Sequence, residues 1–127
     1  MVKEIHPPNK IYIKFIDTKK GWGVFCKEKI LKGEMVEQCY GIIDNYKTAP
    51  LKDYTFTLNE KNLVGTFDAI HSLGYGGMYN HSNEYNAKWE VMGNIIEFTA
   101  TQDIEIGQEI CIYYGVGYLE HYKTRFI

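Results

Sequence analysis

The chain has 127 residues, enough for one domain of ordinary size and too few for a second of comparable size. Hydrophobic residues make up 45% and charged residues 24%, the balance of a globular chain, and no apolar run approaches the length of a membrane span. A formal net charge of -2, with no long basic run, argues against bulk attraction to nucleic acid or to an anionic membrane.

The opening residues, MVKEIHPPNK, are polar, carry two prolines and do not have the form of a secretory signal. Ile11–Ile16 alternates and is rich in β-formers, so a first strand is expected there. Asp17–Gly21 reads as a turn and Trp22–Cys26 as the second strand of a hairpin. Lys27–Glu34 is a loop punctuated by Gly33, and Met35–Ile43 a third strand. Asp44–Lys52 is polar and reads as a loop. Tyr54–Leu58 alternates again, with Leu63–Phe67 as its return strand after an Asn-Glu-Lys-Asn turn. Ala69–Tyr79 holds Gly74, Gly76 and Gly77, too many glycines for a comfortable helix, and reads as a short helical turn followed by close-packed coil. Ala87–Met92, Gly93-Asn94 and Ile95–Thr101 carry the clearest hairpin pattern, Glu109–Tyr114 a last strand, and Tyr118–Thr124 a terminal helical turn. The class expected is mostly β: several small sheets with short helical turns and much ordered loop.

Cys26, Cys39 and Cys111 are far apart and form no C-x-x-C pair, so neither a zinc site nor a redox motif is written and a reducing compartment is expected. Tyrosine is abundant, with 11 residues beside 6 Phe and 2 Trp. Such residues are either half-buried strand positions or the walls of a channel lined by rings and hydroxyls, and composition does not choose between these.

Three short segments carry chemistry. Gly21-Trp22-Gly23 lets backbone approach a ligand closely, though alone it is a hairpin turn as readily as a site. Asn80-His81-Ser82, with Asn86 following, has the form of a glycosylation sequon; the N-terminus argues against secretion, which leaves a core histidine or a polar knot of amide and imidazole. In Gly107-Gln108-Glu109-Ile110-Cys111-Ile112-Tyr113-Tyr114-Gly115, strand alternation puts Ile110, Ile112 and Tyr114 on one face, with Tyr114 at the strand end where a hydroxyl can point into a cleft.

Taken together and in this order, the three segments resemble the SET domain, whose pattern is Gly-x-Gly, then Asn-His-Ser…Pro-Asn, then Gly-Glu-Glu-Leu-x-x-x-Tyr. The likeness covers roughly residues 11–119, so residues 1–127 are expected to be a single SET domain, closest to the minimal stand-alone SET proteins of viruses and microbes and without zinc-binding flanks. The resemblance implies small β-sheets around a C-terminal pseudo-knot, and a protein-lysine N-methyltransferase that uses S-adenosylmethionine. It assigns Gly21, Trp22 and Gly23 to the loop around the methionine part of that cofactor, and Tyr79, Asn80 and His81 to its amine and adenine. Tyr114 is the catalytic tyrosine and also a cofactor contact, Tyr54 a second catalytic tyrosine of the channel, and Ile112, Tyr118 and Trp89 further channel residues. No metal is implied.

Three positions depart from the family pattern: Tyr85 replaces the proline before Asn86, Gln108 replaces the first Glu, and Tyr113 stands where a small polar residue is common. The partner implied is a protein with an exposed lysine, by analogy a histone tail, with Asp44, Asp53, Glu84 and Glu120 as candidates for an acidic rim. A homodimer inside the cell, in cytoplasm or a host nucleus, is expected, with no direct nucleic-acid or membrane partner. The alternatives are a SET-fold module that binds cofactor or peptide without turnover, and a small β interaction domain whose tyrosines form a binding face.

Overall fold

A computed structural model describes residues 4–44, 55–57 and 69–113. Among these residues nine strands follow in chain order: β1 (Ile11–Asp17), β2 (Gly21–Cys26), β3 (Met35–Asp44), β4 (Thr55–Thr57), β5 (Ala69–Ser72), β6 (Asn80–His81), β7 (Ala87–Met92), β8 (Ile95–Ala100) and β9 (Glu109–Ile112). One short 3-10 helix, Gly76–Met78, interrupts them, and no α-helix occurs among the described residues. Among the described residues no helix is long and apolar enough to cross a membrane.

The strands form two sheets. One has the order β1-β2-β9-β6, the other β4-β5-β3-β8-β7. The β1–β2 hairpin is closed by Asp17, whose Oδ1 accepts the backbone N–H groups of Lys19 at 2.9 Å and Lys20 at 2.7 Å, the local turn that an aspartate side chain favours. The β7–β8 turn has Gly93 at φ +61° and no positive φ at Asn94, the glycine-first form of the two-residue hairpin. At the start of β3 the register shifts between Met35 and Glu37, a bulge that leaves the adjacent residues Val36 and Glu37 both buried.

The core lies between the sheets and is built by alternation. Ile96, Phe98 and Ala100 point inward from β8, and Ile110 and Ile112 from β9, all essentially inaccessible to solvent. Each isoleucine so buried stabilises the fold by about 1.5–3 kcal/mol relative to exposure. Tyr79 stacks on Phe98 with ring centroids 4.4 Å apart, which joins the chain entering β6 to the second sheet.

Two expectations need correction. Ala69–Ser72 is a strand, not a helical turn, because β3 is ten residues long and offers a free edge to which β5 pairs, burying Ile70 completely. Asn80-His81 is also extended. It forms the parallel strand β6 on β9, with Asn80 opposite Cys111 and His81 opposite Ile112. Such a two-residue pairing depends on a partner thirty-one positions away and leaves no periodic trace. The expected strand Leu63–Phe67, the terminal turn Tyr118–Thr124 and the pseudo-knot tail from Tyr114 onward lie outside the described residues.

Candidate active site

Strand β9 is the centre of the site. It runs antiparallel to β2 and parallel to β6, so it brings the first, second and third motif segments side by side. Gly23 is buried, and a Cβ at that position would stand 2.7 Å from Glu109 Oε2, 2.8 Å from Ile16 Cδ1 and 3.0 Å from Asn80 Nδ2. Any larger residue would have to displace the ends of the Glu109 and Ile16 side chains and press on the Asn80 amide. Gly21 differs: it is at φ +74° with open space where a Cβ would be.

Asn80 is 6% exposed. Its Nδ2 donates to the carbonyl of Trp22 at 3.2 Å and to Glu109 Oε2 at 2.8 Å. Both partners only accept, so both amide hydrogens are committed and the orientation of the amide is fixed by chemistry. Its Oδ1 therefore points away from Trp22 and Glu109.

Asn86 ties the neighbouring stretch. Its Nδ2 donates to the Glu109 carbonyl at 2.9 Å, its Oδ1 accepts the Cys111 N–H at 2.8 Å, and its own N–H donates to the Cys111 carbonyl at 3.1 Å. In effect a side chain extends the sheet beside β9. Ser82 continues the register, its N–H donating to the Ile112 carbonyl at 3.0 Å while its Oγ accepts the N–H of Glu84 at 3.0 Å.

His81 is 9% exposed, with Nε2 at 3.3 Å from Asn83 Oδ1 and its ring centroid 5.1 Å from that of Tyr113. Burial holds its pKa below the ordinary value, with the Asn83 contact opposing. The imidazole is therefore neutral at physiological pH. Tyr85 lies 6.1 Å from Tyr113, ring to ring. Two of the three residues that depart from the expected pattern thus meet beside the histidine. The third, Gln108, accepts the Glu105 N–H through Oε1 at 3.0 Å within the turn before β9.

Residues 21–115 match the SET domain. The chain belongs to the SET-domain family. A crystal structure of a candidate histone methyltransferase from Plasmodium falciparum is similar to this SET domain at 34% sequence identity and a TM-score of 0.67, over 84% of this chain and 94% of that one.

Other predicted positions scatter more widely through the SET fold. Trp22 contributes a backbone carbonyl, while its indole is 50% exposed and rests edge-on against Phe15. Tyr79 turns its side chain into the core, with the hydroxyl donating to Glu37 Oε1 at 2.7 Å. Ile112 is fully buried among core residues. Trp89 packs on Phe56 at 4.6 Å and donates from Nε1 to the Tyr113 carbonyl at 3.3 Å, which fixes the backbone immediately before Tyr114. Glu84 is exposed. Tyr54, Tyr114, Tyr118, Asp53 and Glu120 lie outside the described residues, as does the side chain of Asp44.

Two acidic residues escaped the sequence reading. Glu109 belongs to the third motif and was legible there, yet its contact with Asn80 depends on the sheet order. Glu37 looks like any strand glutamate until the bulge turns it inward. The thiols are unreactive in character: burial pushes Cys39 and Cys111 up to about 12 and raises Cys26, and all three are free of disulfides. Among the described residues no group of three or more His, Cys, Asp or Glu side chains could hold a metal ion.

Proposed function

We propose that this SET domain is an S-adenosylmethionine-dependent protein-lysine N-methyltransferase that acts on a histone tail lysine. On this reading residues 11–119 form the core of one SET domain, akin to the small SET proteins of viruses and microbes. It acts as a homodimer inside the cell, in cytoplasm or a host nucleus. The observation that carries the reading is the junction of Gly23, Asn80 and Glu109, where the three motif segments meet around one buried amide.

The residues present fit the cofactor. Gly23 closes against Glu109 and Asn80 while Gly21 faces open space, a cradle of backbone rather than side chains. With both hydrogens of Asn80 committed, its Oδ1 is the atom left to accept a ligand ammonium, and the Glu109 carboxylate behind it favours a cation there. Gly21, Trp22 and Gly23 would line the methionine part, with the main chain of Tyr79 and His81 toward the adenine. When bound, S-adenosylmethionine supplies an electrophilic methyl group on a sulfonium.

The chain's own task is to deliver an unprotonated amine in line. Free lysine has a pKa of about 10.4, so a channel walled by Tyr54, Ile112, Tyr114, Tyr118 and Trp89 must first disfavour the ammonium form, which desolvation does. The Tyr114 and Tyr54 hydroxyls accept the remaining amine N–H groups and aim the lone pair, and the released proton leaves through water. Alignment supplies the rest of the acceleration. The Trp89 contact to the Tyr113 carbonyl supports this role, because it anchors the residue preceding Tyr114.

Thermal unfolding with and without the cofactor tests the binding half of the proposal. Ligand at a hundred times its Kd stabilises a native state by about 2.7 kcal/mol, so Tm rises with S-adenosylmethionine and with its demethylated product. An unchanged Tm at high ligand concentration would remove the cofactor from the account.

A further inference from the structure

Glu37 is 3% exposed, and among the described residues no cation pairs with it. Burial raises its pKa, yet the side chain is held by donors from one short stretch of chain and its own strand. Oε2 accepts the Tyr75 N–H at 3.0 Å, Oε1 accepts the Tyr79 hydroxyl at 2.7 Å, and the Cys39 thiol is a third partner. The glycines around it are cut to this contact. A Cβ on Gly74, at φ +69°, would stand 2.8 Å from Glu37 Oε2, and one on Gly76 would run into the side chains of Ser72 and Cys39. The 3-10 helix that follows has no side-chain cap of its own, and Glu37 supplies the acceptor for the N–H of Tyr75, its N-cap residue.

This stretch crosses from one sheet to the other. Glu37 sits on β3 of the five-stranded sheet, while Asn80, one residue after Tyr79, begins β6 of the four-stranded sheet. Tyr79 is anchored at both ends of its side chain, by its ring on Phe98 and its hydroxyl on Glu37. The place where Asn80 meets Trp22 and Glu109 is therefore set from the far sheet.

We propose that Glu37 is a positioning residue for cofactor binding, acting through Tyr75 and Tyr79 to hold Asn80 in register on β9. This rests on the methyltransferase reading above for the ligand, but not for the positioning itself. Glutamine at this position is nearly isosteric and can still accept the Tyr75 N–H and donate to the Tyr79 hydroxyl, but it turns both charge-assisted bonds into neutral ones. Tyr79→Phe removes one donor and keeps the stacked ring.

Two measurements on Glu37→Gln, Tyr79→Phe and the double variant decide it. By calorimetry, Glu37→Gln weakens S-adenosylmethionine binding roughly tenfold, the scale of the charge assistance lost from its two hydrogen bonds. Tyr79→Phe weakens it less, and the double variant is affected less than the sum of the two, because both changes act on the Glu37–Tyr79 contact. By NMR, exchange of the Asn80 side-chain amide protons speeds up roughly tenfold in either single variant, by the same scaling. The Asn86 side-chain amide, bound to the Glu109 carbonyl of the same strand, keeps its rate. Equal acceleration at Asn80 and Asn86, or a lowered Tm with unchanged Asn80 exchange, would overturn the positioning role. Should Glu37→Gln not fold, Tyr79→Phe gives the same two readouts. A wild-type protein that fails to bind the cofactor would defeat the functional reading, and the exchange comparison would still decide the role of Glu37.

Discussion

Asn80 donates both of its amide hydrogens, one to a backbone carbonyl and one to a carboxylate. Asn80→Ala removes those bonds and costs about 1–3 kcal/mol of stability. Asn80→Asp costs more, because it sets a second carboxylate against Glu109 Oε2 and the Trp22 carbonyl in a buried place. Urea denaturation of the two variants checks the order; an aspartate variant as stable as the alanine one would mean the amide is not oriented as described. His81 gives a pH test. Burial holds its native pKa below the ordinary 6.5, so the unfolded chain binds the proton more tightly. Its contribution is therefore fully present above about pH 6.5 and is lost as pH falls from there through the lowered native value. Stability followed from pH 7.5 down should decline in wild type, and the part of the decline between 6.5 and the native pKa should disappear in His81→Asn. The residue types at Asn80 and His81 were legible in the sequence, but the partners that orient them were not, since Trp22 and Glu109 are 58 and 29 positions away from Asn80.

Strand β9 does the assembling at the scale of elements, and Gly23 shows how tightly. Gly23→Ala drives a methyl group into Glu109, Ile16 and Asn80 and costs about 1–3 kcal/mol as overpacking. Gly21→Ala has free space and pays only for its left-handed backbone, about 1–2 kcal/mol. The two separate on ligand binding: Gly23→Ala should weaken the cofactor more than Gly21→Ala at equal loss of stability, measured by calorimetry, because only Gly23 shares a contact with Asn80. Strands with strong local patterns, β1, β2, β3, β7, β8 and β9, were readable from alternation and turn residues to within a residue or two. β5 and β6 were not. Each is defined by a neighbour rather than by its own composition: β5 by the long edge of β3, β6 by two pairings on β9. The glycines of the Leu73–Tyr79 stretch argued correctly against an α-helix, and only the 3-10 turn Gly76–Met78 forms there, but their reason, packing onto Glu37 and Cys39, is tertiary.

For the whole molecule, the mostly-β class followed from the run of short strands and the SET fold from the resemblance, whereas the grouping of the described strands into two sheets, which puts the three motif segments in one neighbourhood, came only from the structure. The outer side of the five-stranded sheet carries Tyr40, Ile42 and Met92, with Leu73 beside them, each between 41% and 51% exposed. An apolar strip of this kind is what a dimer would cover. Light scattering at micromolar concentration should give the mass of two chains, and a monomer mass would remove the homodimer from the proposal. The central claim, lysine methylation, is tested most directly by mass spectrometry of a histone mixture incubated with the protein and isotope-labelled S-adenosylmethionine. Labelled methyl groups are expected on lysine with the wild-type protein and almost none with Tyr114→Phe, although that variant still binds the cofactor. A wild-type protein that binds the cofactor and labels no lysine, or a Tyr114→Phe protein that turns over like wild type, would contradict it.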